Sequence, residues 1–201
     1  VAFDPTNSRY LASGGDEAIV RYWRRKEGVS SPMAHHEHRV CAAVFSPDGA
    51  LVASGSDDST VMLWDVGTNE RLYHFKDSEL AIKTVAFSPD GRYLAAAGED
   101  QIVYLWDLRS PDQKAPHKTC RKLRPQSLTG LAGGIRSLAF SPDATSLISG
   151  GLDATIRIAD LTLLEQNKTP TLKPLIQPAR PYENIEIEGV RGLSHLQRCN
   201  L

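Results

Sequence analysis

Apolar residues in this chain fall in short runs separated by clusters of Pro, Asp, Gly and Ser. One run covers 40–45, a second 51–54, a third 60–64 and a fourth 71–75. Between the first and second lies Pro47-Asp48-Gly49, in which Pro presets φ and Gly accepts a positive φ. Gly55-Ser56-Asp57-Asp58 separates the second from the third. The pattern predicts four short strands joined by turns, the third especially rich in β-forming residues. Equivalent third runs recur as TVMLW, IVYLW and TIRIA, apolar at nearly every position. A strand with one face in water alternates apolar with polar, so continuous apolarity calls for cover on both faces. Small sheets stacked radially, each sandwiched by its neighbours, meet that requirement.

The runs repeat. VAF-DP at 1–5 returns as AVFSPDG at 43–49, VAFSPDG at 85–91 and LAFSPDA at 138–144, with Phe3, Phe45, Phe87 and Phe140 in register. YWR at 22–24, LWD at 63–65, LWD at 105–107 and IAD at 158–160 keep step with them. Four short strands in about 42 residues, closing on Trp-Asp, is the period and signature of a WD40 repeat, and residues 1–166 resemble that family. The resemblance implies an all-β fold: a propeller arc of about four four-stranded blades plus the start of a fifth. The units run about 1–34, 35–76, 77–130 and 131–184, with 185–201 incomplete. A closed ring of seven such units needs roughly 300 residues, so the expectation is one part of a seven-bladed ring. It also implies a protein-binding platform without catalysis.

Composition narrows the partners. The net charge is −1 and 41% of residues are hydrophobic, without bias toward nucleic acid or membrane. No apolar run nears the ~20 residues that span a bilayer, and no leader is visible. Cys41, Cys120 and Cys199 are odd in number and widely spaced, which suggests a reducing, intracellular compartment. No cofactor, metal, small-molecule substrate or direct nucleic-acid contact is expected.

In WD40 proteins a hydrogen-bonded network often joins a His before the first strand, a Ser or Thr on the second, an Asp in the next turn and the Trp. The second unit matches fully with His36, Ser54, Asp58 and Trp64. The third keeps Asp100 and Trp106 but has Ser78 for His and Ala97 for Ser. The fourth keeps Ser149 and Asp153, with Leu131 and Ala159 replacing His and Trp. The first has Ser13, Glu17 and Trp23. His36, Ser54 and Asp58 also have the composition of a hydrolase triad. A nucleophilic Ser, however, needs an exposed, strained site and oxyanion donors, and Ser54 falls in a predicted buried strand. The cluster His35-His36-Glu37-His38 suggests a metal only weakly, since the network claims one of its histidines and no second ligand cluster exists.

By position, the family's peptide-contact sites fall on Arg39, Ala81 and Gly134, and on Asp16, Asp57, Glu99 and Leu152. The three acids favour a basic peptide. Two stretches break the repeat. Residues 108–134 carry Arg121, Lys122 and Arg124 among several cations, a candidate docking surface for an acidic partner. Residues 161–190 read as a proline-marked connection outside the strand pattern, of a length that is functional or disordered in compact domains. LSHLQRCNL at 193–201 looks like the first strand of a last, degenerate blade. With the long linker before it, that segment resembles the WD40 subunit of the transcription complexes TFIID and SAGA, although Leu196 stands where that family has Phe. This narrower resemblance implies a nuclear scaffold beside histone-fold subunits. The alternative is a peptide or histone-tail reader, or a ubiquitin-ligase substrate receptor, in nucleus or cytoplasm.

Overall fold

A computed structural model describes residues 1–6, 9–109, 125–129, 133–166 and 168–176. They form four four-stranded antiparallel sheets, each a meander in chain order. The first holds β1 (Ala2–Phe3), β2 (Tyr10–Ser13), β3 (Ile19–Arg24) and β4 (Val29–His35). The second holds β5 (Val40–Phe45), β6 (Leu51–Ser56), β7 (Val61–Asp65) and β8 (Arg71–Phe75). The third holds β9 (Ile82–Phe87), β10 (Tyr93–Gly98), β11 (Val103–Asp107) and β12 (Gln126–Leu128). The fourth holds β13 (Ile135–Phe140), β14 (Ser146–Gly151), β15 (Ile156–Asp160) and β16 (Lys173–Ile176), with one helical turn, α1 (Thr162–Glu165), between its last two strands.

Each first strand packs on the sheet before it: β5 on β1, β2 and β3, β9 on β5 and β6, β13 on β9 and β10. This stacks the sheets as blades and builds a core at every border. Leu51, Ala53, Val61, Leu63 and Phe75 of the second blade meet Ile82, Val85, Leu94, Tyr104 and Trp106 of the third. Phe75 stacks on Trp106 with ring centroids 4.5 Å apart. The continuous apolarity of β7 and β11 follows from this position, because their first four residues are buried. In β15 only Ala159 is buried.

The turns repeat as closely as the strands. Gly49, Gly91 and Ala144, at equivalent places after the Pro-Asp pairs, all have positive φ. So do Ala18, Ser59, Gln101 and Ala154, each directly after the acid that opens the third strand. The acid supports the left-handed residue by accepting the amide two positions on: Asp58 from Thr60, Asp100 from Ile102, Asp153 from Thr155.

The fourth blade corrects one expectation. Residues 161–190 are not wholly a connection, since Lys173–Ile176 pairs with β15 as the blade's outer strand. The Leu175 and Ile176 apolar pair after Pro174 was hidden by the prolines; an outer strand tolerates Pro because one of its edges needs no ladder bond. Arg121, Lys122, Arg124, Leu131 and the fifth unit lie outside the described residues.

Candidate functional site

Two clusters carry polar chemistry, one inside the second blade and one across an exposed face. In the first, β4 ends at His35 and delivers His36 against the turn between β6 and β7. The His36 Nδ1 lies 2.9 Å from Asp58 Oδ2 and 3.1 Å from Thr60 Oγ1, and its Nε2 lies 2.8 Å from Ser54 Oγ. A proton on Nδ1 suits this set: the ring donates to Asp58, and Ser54 donates to Nε2. Asp58 also accepts the Glu37 amide and the Thr60 amide and hydroxyl. Burial pushes the Asp58 carboxyl up, but these bonds and His36 outweigh it and hold its pKa at about 2. Burial lowers the His36 pKa against the opposing pull of Asp58, so the ring is kept neutral.

The distances are those of a catalytic triad, yet the cluster does not present one. Ser54 is 0% exposed and His36 5%. The Ser54 hydroxyl lies mid-strand in β6, which is buried along its length, with no approach for a substrate and no strained turn to lift it. Among the described residues no group of three or more His, Cys, Asp or Glu is arranged to hold a metal ion.

The expected last link, from Ser54 to Trp64, is not made. Trp64 Nε1 is buried without a partner among the described residues. The Ser54 hydroxyl is committed to the imidazole, whereas Ser13 accepts Trp23 Nε1 at 2.8 Å. Sequence departures in the other blades surface as orphans. Among the described residues Trp106 Nε1 has no acceptor, and the register corrects the position expected for the missing Ser: Ala96, not Ala97, stands in line with Ser54. Ser149 Oγ likewise has no partner among them where Ala159 replaces Trp.

The turn acid nonetheless keeps a side-chain partner in every blade. Ser78, standing in the His position, donates to Asp100 at 2.6 Å, and Tyr104 donates to the same oxygen at 2.8 Å. Arg157 reaches Asp153 at 3.3 Å, and Arg21 reaches Glu17 at 3.0 Å. Tyr104, Arg157 and Arg21 all stand four residues after their acid, where the second blade has Met62. Where no imidazole is bound to the acid, a long polar side chain on the third strand binds it instead. The sequence shows this substitution only once the turn acids have been aligned.

The second cluster gathers the positions that the repeat pattern assigned to peptide contact. Three backbone bonds pair them, one per blade: Asp57 N to Arg39 O at 2.9 Å, Glu99 N to Ala81 O at 3.0 Å and Leu152 N to Gly134 O at 2.9 Å. Arg39 also reaches Asp16 of the first blade at 3.3 Å. The expected acidic surface is not bare, because cations interleave it. Lys83 binds Asp57 and lies 3.3 Å from Glu99, and Arg136 lies 3.9 Å from Glu99. The Lys83 hydrogen bond, then that of Cys41, holds the Asp57 carboxyl below its ordinary value. Burial, then Asp57, raises the Cys41 thiol to about 11, so it stays a protonated donor. Lys83 and Arg136 each follow the first apolar residue of a first strand, a phase visible in IKTVAF and IRSLAF but unread there. The result is a band of alternating charge running from Asp16 to Arg136 and ending at Leu152, which is 64% exposed.

The family model for the WD domain, G-beta repeat, matches residues 29–65, 69–107 and 124–160, more than half of the chain. Over 196 residues the chain is 33% identical to Transducin beta-like protein 3 of Homo sapiens, covering 95% of this chain and 23% of that protein. It is 35% identical over 71 residues to Small ribosomal subunit protein RACK1 of Neurospora crassa, covering 35% of this chain and 22% of that protein. It is 34% identical over 70 residues to a Chromatin assembly factor 1 subunit of Gallus gallus, covering 31% and 12%. The chain thus spans less than a quarter of the length of these relatives.

Proposed function

The chain belongs to the WD40 repeat family, and from that premise we propose that it is a non-catalytic scaffold whose protein partner docks on the charge-alternating band. The observation that carries this reading is the pairing Arg39–Asp57, Ala81–Glu99 and Gly134–Leu152 on three successive blades. It sets side chains of both charges and an exposed leucine along one rigid face. A band of this kind selects by register: a peptide must present an acid where the band has Arg39 or Arg136, and a base beside Asp16 or Glu99. Such complementarity governs partner choice and association rate more than raw affinity. Removing the two acids without reversing them is the direct test. Asp57→Asn with Glu99→Gln should weaken the partner complex while circular dichroism and melting stay near those of the parent.

The narrower reading is a subunit of a TFIID- or SAGA-like assembly in the nucleus, beside histone-fold proteins. It rests on the LSHLQRCNL ending after a long linker, and it draws support from a relative named as part of a chromatin assembly factor. Arg121, Lys122 and Arg124 are then a second docking element for an acidic partner. Recovery of the complete protein from cells without histone-fold subunits would remove this narrower assignment and leave the scaffold. The chromatin relative also favours a second reading, a histone-tail reader, in which a basic peptide lies along Asp16, Asp57 and Glu99.

A further inference from the structure

Serine or threonine stands directly before proline at Ser31, Ser46, Ser88, Ser141 and Thr169 among the described residues, and the fold treats these positions differently. Ser46, Ser88 and Ser141 open the Pro-Asp turns, where each hydroxyl donates to the aspartate two residues on. Ser46 and Ser88 are also buried. Ser31 is exposed but lies within β4, paired with Tyr22 of β3. Thr169 differs from all four. It is exposed, and its segment, 168–172, joins no strand ladder between α1 and the start of β16 at Lys173. Its hydroxyl has no hydrogen-bond partner among the described residues. The segment is nonetheless held at both ends. The Lys168 amide donates to Leu163 O at 2.9 Å. Pro170 and Leu172 are buried, Leu172 in the core between the third and fourth blades. Proline disfavours the helical region for the residue before it, which biases Thr169 toward extended backbone.

We propose that Thr169 is a phosphorylation site for a proline-directed protein kinase. A kinase closes its active site around an extended stretch of substrate, and 168–172 offers one without first breaking a ladder. The chemistry is ordinary phosphoryl transfer from ATP. Thr169 Oγ1 attacks the γ-phosphorus, the bond from that phosphorus to the β-bridging oxygen breaks, and ADP leaves. The hydroxyl proton passes to the kinase's aspartate and then to solvent. Lys168 and Lys173 flank the site with no acid between them. Lys168 Nζ meets only the neutral Gln166 Oε1, at 3.0 Å, a contact weaker than the charge-assisted bond a phosphate offers. The phosphate, at about −1.5 to −2, cancels most of the charge of the two lysines and changes the outer rim of the fourth blade from basic to near neutral.

The test incubates the folded, complete protein with a purified proline-directed kinase and ATP, and locates phosphate by mass spectrometry over time. A synthetic peptide spanning 163–175 is run beside it, as parent and as Pro170→Ala. Thr169 should be labelled in protein and parent peptide alike, and Ser31 roughly tenfold more slowly, since its strand must open first. Ser46, Ser88 and Ser141 should stay unlabelled. Pro170→Ala should abolish labelling of the peptide, where loss of a buried proline cannot disturb the fold. A labelled peptide beside an unlabelled Thr169 in the protein overturns the proposal, because the fold then hides the site. An unlabelled parent peptide overturns it as well, because the sequence is then no substrate. Ser31 labelled as fast as Thr169 overturns the argument from the unpaired segment.

Discussion

His36 is the residue on which the second blade's polar interior turns. Replacing it with Ala strands the Ser54 hydroxyl and removes one partner of Asp58. Leaving buried groups unsatisfied costs about 1–3 kcal/mol, a midpoint fall of roughly 2–4 °C per kcal/mol at this size. The loss should depend on pH. His36 titrates lower when folded than unfolded, so its contribution is complete above about pH 6.5. It is lost as pH falls below that value, because the unfolded state then binds the extra proton. The stability gap between parent and His36→Ala should therefore narrow from pH 7.5 to pH 5, measured by denaturant melts at each pH. A gap that widens on acidification would contradict a neutral buried ring. Asp58 contributes in a separate window. With its pKa held near 2, its contribution disappears as pH falls from about 4 toward 2. The two serines at equivalent positions should respond oppositely. Ser54→Ala breaks a made hydrogen bond and destabilises, whereas Ser149→Ala removes a buried hydroxyl without a partner and should be neutral or stabilising. Equal losses at both sites would show that the fourth blade satisfies Ser149 after all.

Strands and turns were legible where chemistry repeats. The Phe and Trp-Asp markers placed the first and third strands, and Pro-Asp-Gly placed the turn between the first two. The left-handed Ala18, Gln101 and Ala154 were not legible, because no glycine announces them; at Gln101 and Ala154 the preceding aspartate supports the bend instead. The imidazole, serine and aspartate of the second blade could be read from sequence, but the missing Trp64 link could not, since it depends on where one hydroxyl points. Lys83 and Arg136 escaped notice because a cation inside a strand looks like an ordinary outward-facing residue until the neighbouring blade is placed beside it. The outer strand of the fourth blade was masked by Pro170, Pro174 and Pro178. That strand has a mutational consequence: deleting 165–184 removes Lys173–Ile176 and uncovers an edge of β15. It also removes Glu165, which reaches back to Arg92 of the third blade at 3.0 Å. Hydrogen exchange across 156–160 should accelerate markedly in the deletion. Unchanged protection there would mean β16 adds nothing to the blade.

At the scale of the whole molecule, each blade border is a hydrophobic seam, and the band of charge crosses those seams on one face. Exposed ion pairs contribute little stability singly, about 0–1 kcal/mol, so the ladder from Asp16 to Arg136 is better suited to recognition than to holding the blades. Charge reversal is a poor probe of it, because Asp57→Lys would face Lys83 and confuse repulsion with lost binding; neutral substitutions avoid that. Binding through the band should weaken as salt rises toward the concentrations at which the screening length falls to a few ångströms. The most direct measurement is quantitative affinity purification of the complete protein from cells, parent against Asp57→Asn with Glu99→Gln, at matched expression and matched melting temperature. The account predicts selective loss of one or a few protein partners with the remainder retained. An unchanged set of partners in unchanged amounts would contradict it.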